Sequence, residues 1–403
     1  MAVLLIGTLD TKGTEFAYVR ERLLAAGVSV LVADAGVIGQ PSFIANISRE
    51  EIFTAAGVRY ADVKATADRG QAITLAALGA AKIAAKLYRE GKISGVLSLG
   101  GSAGTTIGTT AMRALPVGVP KLMVSTLASG QVQPYVGTRD VMMMYSVVDI
   151  CGLNRISRKI LDNAVAAMAG MVQSRNSQSE HEVSDQKIVA ATMFGVTTPC
   201  VEAAQKVIEA AGFETLVFHA TGSGGRTMEG LIRDGLVAGV LDITTTELAD
   251  ELVGGVMAAG PDRMTAAAIM GIPQVISVGA LDMVNFGPPD TIPTQFRDRQ
   301  FYHHNPTVTL MRTTPEENDR IGQQIAEKAC AALGPTTILL PLLGLSAIDA
   351  EGKPFWWPEA DAALFQCIRN WVYGVELIEV DAHINDPMFA EVAAKTMLRL
   401  LST

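Results

Sequence analysis

The distribution of apolar residues along the chain predicts two similar α/β regions. In the first region the strand, helix and strand patterns are residues 3–8, 13–26 and 28–33, and the same order returns at 188–194, 198–211 and 213–219. Short apolar strands separated by helical patterns are typical of βαβ units and a parallel sheet.

The resemblance between the two regions continues further along the chain. Gly95–Thr106 corresponds to Gly239–Asp250, and Gly118–Ser125 corresponds to Gly271–Val278. We therefore predict two Rossmann-like, doubly wound α/β domains with mostly parallel sheets, related by internal duplication. A polar, serine-rich stretch separates them, so the expected division is residues 1–172, a linker at 173–186, and residues 187–403.

Composition adds expectations about assembly and partners. Of the 403 residues, 49% are hydrophobic and only 18% are charged, against about 25% charged in a typical domain. This balance favours large buried cores and a buried subunit interface, so we expect a homo-oligomer. The formal net charge is −9 and there is no basic run, which disfavours nucleic acid as a direct partner.

Cysteine usage and apolar run length bear on the compartment. The four cysteines are isolated and form no C-x-x-C pair, as expected in a reducing compartment, and we predict a cytoplasmic protein. No apolar run reaches about 18 residues without glycine or charge, so no membrane span is expected.

One glycine-rich turn carries the strongest chemical signal. Leu99–Thr106 passes from an apolar strand pattern through Gly100, Gly101 and Gly104 into a helix pattern. Glycines let several N–H groups converge, and a helix N-terminus adds partial positive charge, which together favour a phosphate. The alternative is a strand-to-helix turn that needs glycine only for packing.

Other polar residues follow neighbouring strand patterns, where ligands of open α/β sheets bind. Lys12 offers a cation for phosphate, and Asp10 offers a carboxylate for Mg²⁺ or a ribose, although Asp10 and Thr11 are also plausible helix caps. The predicted cofactor-binding residues are Thr8, Asp10, Thr11, Lys12, Gly100, Gly101, Ser102, Gly104, Thr105, Thr106, Ser125 and Thr126. Neither the P-loop pattern nor G-x-G-x-x-G occurs, so a standard dinucleotide fold is disfavoured.

The second region replaces the glycine turn with carboxylates, at Asp242–Asp250. Glu247 and Asp250 lie one helical turn apart, and their simplest interpretation is an exposed first-turn pair favoured by the helix dipole. Adjacent histidines near an arginine suit acid–base work on an anion, although a structural role for one histidine is an equal alternative. The predicted catalytic residues are His303, His304 and Asp282, and the predicted substrate-binding residues are Glu247, Arg263, Asn305 and Arg312.

Four motifs in order resemble one known family. Gly7–Gly13, Leu99–Thr105, Tyr145–Arg155 and His303–Arg312 are similar to the UPF0261 family, also called the Tm-1-like ATP-binding family, over essentially the whole chain. The resemblance implies two Rossmann-like domains, ATP bound by the first, and dimers; the expected cofactor is ATP, with Mg²⁺ added by the carboxylate of Asp10. In a plant member a TIM-barrel domain follows, so the resemblance implies a separate TIM-barrel protein as a candidate partner.

The expected function is therefore that of a cytoplasmic ATP-binding protein. We expect it to act on or sense a small anionic metabolite in a cleft between the domains. Two alternatives remain open: an enzyme for a phosphorylated or acidic metabolite that does not use ATP, and a non-catalytic module in which the nucleotide stabilises a partner-binding shape. The residues do not decide whether the protein is an enzyme.

Overall fold

The computed structural model describes residues 1–66, 68–177 and 186–403. It divides into two compact units, Met1–Val183 (unit 1) and Ser184–Thr403 (unit 2). Both are α/β, and each is built around a parallel sheet.

Unit 1 contains one five-stranded parallel sheet. Its strands are β1 (Ala2–Gly7), β2 (Val30–Asp34), β3 (Ile93–Gly100), β4 (Lys121–Ser125) and β5 (Met142–Tyr145). They lie in the order β2-β1-β3-β4-β5. Every residue of β1, β3 and β4 is buried, as expected for a parallel sheet covered on both faces.

Helices cover both faces of this sheet. They are α1 (Leu9–Ala25), α2 (Arg49–Ala56), α3 (Tyr60–Thr66), α4 (Arg69–Arg89), α5 (Ser102–Arg113), α6 (Gln133–Val136) and α7 (Arg155–Ser177). One core joins the sheet to α2, α4 and α5, and the other joins it to α1 and α7. The start of α2 is a complete capping box between Ser48 and Glu51, the arrangement that their spacing indicates.

Unit 2 contains a six-stranded parallel sheet and a small antiparallel one. Its strands are β6 (Ile188–Met193), β7 (Glu214–His219), β8 (Gly239–Thr244), β9 (Gln274–Gly279), β10 (Met283–Phe286), β11 (Phe301–Asn305), β12 (Val308–Arg312), β13 (Thr336–Pro341) and β14 (Glu376–Val380). Its helices are α8 (Thr198–Ala210), α9 (Ser223–Arg233), α10 (Glu247–Val253), α11 (Ala266–Met270), α12 (Pro315–Cys330), α13 (Pro358–Trp371) and α14 (Pro387–Leu401), with short 3₁₀ turns at Pro289–Thr291 and Thr294–Phe296.

The two parallel sheets share one topology, which confirms the predicted fold class. The large sheet of unit 2 reads β7-β6-β8-β9-β13-β14, so its first four strands repeat the order β2-β1-β3-β4 of unit 1. The paired sequence segments fall on matching elements: β3 and α5 against β8 and α10, and β4 against β9.

The structure differs from expectation in two places. Helix α7 continues to Ser177, so residues 173–177 of the expected linker are helical, and residues 178–185 lie outside the described residues. Of the antiparallel sheet β10-β12-β11, the residue pattern predicts only a strand at 307–311, because β10 and β11 are short and partly polar. Across the described residues, none of the helices is both long and apolar enough to cross a membrane.

Candidate functional site

The glycine turn of unit 1 lies at the point where the winding of the sheet reverses. The connection from β1 leads outward to β2, whereas the connection from β3 leads the other way to β4, so the loops after β1 and β3 flank the crevice where such sheets bind ligands. Leu5 of β1 aligns with Leu97 of β3 in a parallel pair, so the loop that begins at Thr8 and the glycine turn lie at the same end of two neighbouring strands. On the other side, Thr126 N donates to Gly100 O (3.3 Å).

The three glycines of this turn have different roles. A Cβ on Gly100 would lie 2.9 Å from the Gly104 Cα, and a Cβ on Gly104 would lie 3.2 Å from the Leu99 carbonyl oxygen. These two glycines therefore allow α5 to pack closely on β3. A Cβ on Gly101 would meet only the Thr126 Oγ1, at 3.8 Å, so packing explains Gly100 and Gly104 but leaves Gly101 unexplained.

The start of α5 offers unused donors beside Gly101. The first N–H groups of a helix, here those of Ser102, Ala103 and Gly104, have no intrahelical acceptor. Gly101 is the N-cap residue, and within the described chain no side chain caps this helix. Ser102 is exposed and Thr126 is half-buried, so the donors face an open polar edge with the positive end of the α5 dipole.

The loop after β1 supplies hydroxyls to this edge, but not its carboxylate. Thr8 Oγ1 and Thr11 Oγ1 lie 2.8 Å apart. Asp10 Oδ2 instead accepts hydrogen bonds from the N–H groups of Ile38 (2.8 Å) and Gly39 (3.1 Å). The Asp10 carboxylate thus holds the segment that follows β2 through Oδ2, while its buried Oδ1 has no hydrogen-bond partner among the described residues.

Four other predicted cofactor residues make internal contacts. Thr105 Oγ1 and Ser125 Oγ lie 2.6 Å apart and are buried, so these hydroxyls tie α5 to β4 and are not available to a ligand. Thr106 Oγ1 donates to the Ser102 carbonyl. The Lys12 ammonium donates to the Ile150 carbonyl, and it keeps two further N–H donors.

At the carboxyl end of β2, Asp34 forms a buried ion pair with Arg49. Asp34 Oδ1 accepts from Leu9 N (3.1 Å) and Gly36 N (2.9 Å), and Asp34 Oδ2 accepts from Arg49 Nε (2.8 Å). In dinucleotide-binding folds a carboxylate near this position receives the ribose hydroxyl. Here the chain occupies that carboxylate itself, in agreement with the missing dinucleotide motif.

The equivalent region of unit 2 contains a buried ion cluster around Arg263, which we call the Arg263 cluster. Its guanidinium donates to both oxygens of Asp242 (2.6 and 2.7 Å) and to Glu247 Oε2 (2.6 Å), with Glu229 at 3.6 Å. Arg263 is 1% exposed and Glu247 is 0% exposed. The predicted substrate role of Arg263 and Glu247 is therefore corrected, because both charges are enclosed and paired.

Glu247 also accepts hydrogen bonds from N–H groups at a helix start, where a bound phosphate would accept them in a ligand site. Its Oε1 accepts from the N–H groups of Gly222 (2.7 Å) and Gly225 (3.1 Å) at the beginning of α9. The expected exposed pair of Glu247 and Asp250 is wrong, since both are fully buried. Burial raises the pKa of Asp250 to about 7, although it accepts hydrogen bonds from Asn285 and Met257.

A second buried arginine lies among three carboxyl groups, which we call the Arg312 cluster. Arg312 Nη2 donates to Asp361 Oδ1 (2.6 Å) and lies 3.7 Å from Asp349 Oδ1. Asp282, fully buried, accepts from Ser346 Oγ (2.8 Å). Arg312 thus has carboxylate partners already, which corrects its predicted substrate role, and the enclosed Asp282 has no access to a substrate as a catalytic residue.

The predicted histidines lie elsewhere on the antiparallel sheet. His303, His304 and Asn305 are exposed on β11, and His303 pairs with Thr309 of β12. Thr309 is three positions from Arg312, about 10 Å along the strand. The structure therefore does not bring these side chains together with Asp282.

The sequence alone did not indicate that Asp349 and Asp361 lie near Arg312, or that Arg49 pairs with Asp34. Their partners in the chain are distant, and no short spacing marks them; Arg312 and Asp361, for example, are 49 positions apart. No group of three or more His, Cys, Asp or Glu residues within 1–66, 68–177 and 186–403 has the arrangement of a metal site.

The fold and the glycine turn define a class: a two-domain Rossmann-like α/β protein with an open helix N-terminus at the switch point of its first sheet. The chain belongs to the uncharacterised protein family UPF0261. The model of the family's N-terminal domain matches residues 1–177, and that of its C-terminal domain matches residues 186–401. The expected family resemblance is confirmed.

Individual relatives cover the whole chain. A UPF0261 protein of Clostridium tetani is 49% identical over 401 residues, covering 99% of this chain and 98% of that protein. One of Rhizobium meliloti is 46% identical over 394 residues, covering 97% of each. A tomato protein named ToMV susceptible protein tm-1(GCR26) is 42% identical over 418 residues, covering 99% of this chain but 55% of its own length.

Proposed function

We propose that unit 1 binds ATP through its phosphates at the start of α5. The observation that carries this proposal is Gly101: it is the one glycine of the turn whose added Cβ would meet no closer atom than Thr126 Oγ1 at 3.8 Å. Space kept open beside uncapped N–H groups suits an anion. The family resemblance supports a nucleotide as the molecule that carries this anion.

The neighbouring loops support the same placement. The N–H groups of Ser102 to Gly104 would receive phosphate oxygens, with the hydroxyls of Thr8 and Thr126 on either side. Val147, just after β5 on the same sheet edge, has φ +62°, a conformation in which a β-branched residue is strained. Such strain concentrates at ligand-binding loops.

The test is isothermal titration calorimetry with ATP, with and without Mg²⁺, on three variants. Gly101→Asp places a carboxylate among the donors, and Gly101→Asn supplies nearly the same bulk without charge. Gly170→Asp is the matched control, because Gly170 is exposed in α7 and its added Cβ has open space. We expect Gly101→Asp to weaken ATP binding at least about 30-fold, or about 2 kcal/mol, Gly101→Asn to weaken it less, and Gly170→Asp to leave it unchanged.

Unchanged ATP affinity in a folded Gly101→Asp protein would refute the proposal, as would no ATP binding to the wild type. Separate titrations with inorganic tripolyphosphate and with adenosine measure the contributions of the phosphates and of the nucleoside to ATP binding. If tripolyphosphate and a sugar phosphate bind while ATP does not, the turn serves a phosphorylated metabolite and ATP is excluded.

A further inference from the structure

Unit 2 has a cavity of about 480 Å³ at the carboxyl end of β13. Its walls include Leu342, Leu343, Trp356 and Phe365, and the acidic residues Glu351 and Asp361 also line it. A volume of this size suits a small organic molecule. None of the residues that line it in the described chain is Lys, Arg or His, so the cavity offers apolar surface and negative charge.

The acidic wall is backed by the Arg312 cluster. Three carboxyl groups, those of Asp282, Asp349 and Asp361, act on one guanidinium. Asp349 is fully buried, and its Oδ1 receives no hydrogen bond from any residue that the structure describes. Asp349 and Asp361 face the same guanidinium, with Arg312 Nη2 at 3.7 Å from Asp349 Oδ1 and at 2.6 Å from Asp361 Oδ1.

Trp356 is held at the cavity by the same arginine. Arg312 Nε donates to the Phe355 carbonyl (2.7 Å), and Arg312 Nη2 lies 3.4 Å from the Trp357 carbonyl. These bonds fix the backbone on both sides of Trp356, which remains 47% exposed. An indole that lines the same cavity as two acidic residues offers a surface that attracts cations.

We propose that this cavity binds a small amine in its protonated form. The ammonium lies against the carboxyl groups of Asp361 and Glu351, and the carbon body packs on Leu342, Phe365 and the Trp356 indole. The Arg312 guanidinium does not itself reach the ligand, because it is 1% exposed and already paired with Asp361.

Binding is then coupled to proton release. Burial raises the pKa of Asp361 to about 7, against the opposing effect of Arg312 and with a further increase from Asp349. Asp282 belongs to the same cluster, and His383 acts on Asp349. An ammonium beside Asp361 favours the ionised carboxylate, so a proton held by Asp361 leaves to solvent.

The probe is 2-phenylethylamine, with 2-phenylethanol and 3-phenylpropionate as its neutral and anionic counterparts, titrated into the full-length chain at pH 7. We expect the amine to bind at least about tenfold more tightly than either counterpart. Repeating the titration in two buffers of different ionisation enthalpy should show release of a fraction of a proton per amine bound.

Variants locate the site. Trp356→Leu should weaken the amine about fivefold or more, whereas Trp371→Leu should not, since Trp371 is equally exposed (48%) but lies outside the cavity lining. Glu351→Gln, at an exposed position, removes one negative charge from the cavity without disturbing the buried Arg312 cluster. Asp361→Asn removes the carboxyl group that is expected to release the proton. Equal binding of the alcohol, proton uptake, or a Trp356→Leu protein with wild-type affinity would overturn the proposal.

Discussion

The Arg263 cluster makes a sharp prediction about stability. Replacement of Arg263 by Met keeps a long apolar side chain but removes the guanidinium that Asp242 and Glu247 contact at 2.6 Å. Both carboxylates, and that of Glu229, are almost completely buried. Removing one partner from a buried ion pair costs about 3–5 kcal/mol, a large part of a total unfolding free energy of about 5–15 kcal/mol.

The loss should shrink in acid. In the variant, carboxyl groups left without a cation take up protons on folding, so the unfolded state binds fewer protons than the folded state. One such proton changes the free energy of unfolding by about 1.4 kcal/mol per pH unit. The difference between variant and wild type should therefore be about 2.7 kcal/mol smaller at pH 5 than at pH 7.

Urea denaturation followed by tryptophan fluorescence measures this directly. All the tryptophans, Trp356, Trp357 and Trp371, lie in unit 2, so their emission reports the unit that contains Arg263. With a slope of about 2 kcal/mol per M urea, the midpoint should fall by about 2 M at pH 7. Arg399→Met is the control, since its exposed ion pair with Glu376 is worth about 0–1 kcal/mol. A loss below about 1 kcal/mol, or one that does not depend on pH, would contradict the reasoning.

Three further outcomes are expected. Gly100→Ala should destabilise the protein by about 1–3 kcal/mol, because its Cβ would lie 2.9 Å from the Gly104 backbone; Gly101→Ala should change stability by less than about 0.5 kcal/mol, and equal melting temperatures for the two would contradict this assignment. Burial raises the pKa of Cys200 to about 12, so iodoacetamide at pH 8 should label exposed Cys151 and leave Cys200 unmodified, which peptide mass mapping checks. Burial raises the pKa of Asp250 and Asp361 to about 7, whereas an unfolded Asp has a pKa of about 3.9. Between these values the folded state holds protons that the unfolded state has lost, so the urea midpoint should fall as pH rises from about 5 to about 7; a rising midpoint would contradict the assignment.

The elements that sequence inspection predicts well are those decided by neighbours in the chain. The strand at Ala2–Gly7 is entirely apolar, and the capping box at Ser48 depends on a residue three positions away. The glycine turn at Gly100 was located for the same reason, because strand, glycines and helix follow one another directly.

The roles of charged residues were not predictable in this way. Arg263 has its partners 16, 21 and 34 positions away, so only the folded sheet brings them together. An arginine or aspartate near a strand end was therefore predicted to bind a substrate. In the structure these residues are buried and paired with other side chains of the protein. Exposure, which separates these two roles, is a property of the whole fold.

The same physical device is used differently in the two units. In unit 2 the start of α9 has its anion built in: Glu247 occupies the N–H groups of Gly222 and Gly225, and a Cβ on Gly225 would lie 2.1 Å from Glu247 Oε2. In unit 1 the N–H groups that open α5 receive no such side chain among the described residues, and Gly101 borders open space. A glycine at a helix start therefore does not by itself indicate a ligand site. At the start of α9 the carboxylate of Glu247 accepts from the helix N–H groups, whereas within the described chain no side chain caps the start of α5.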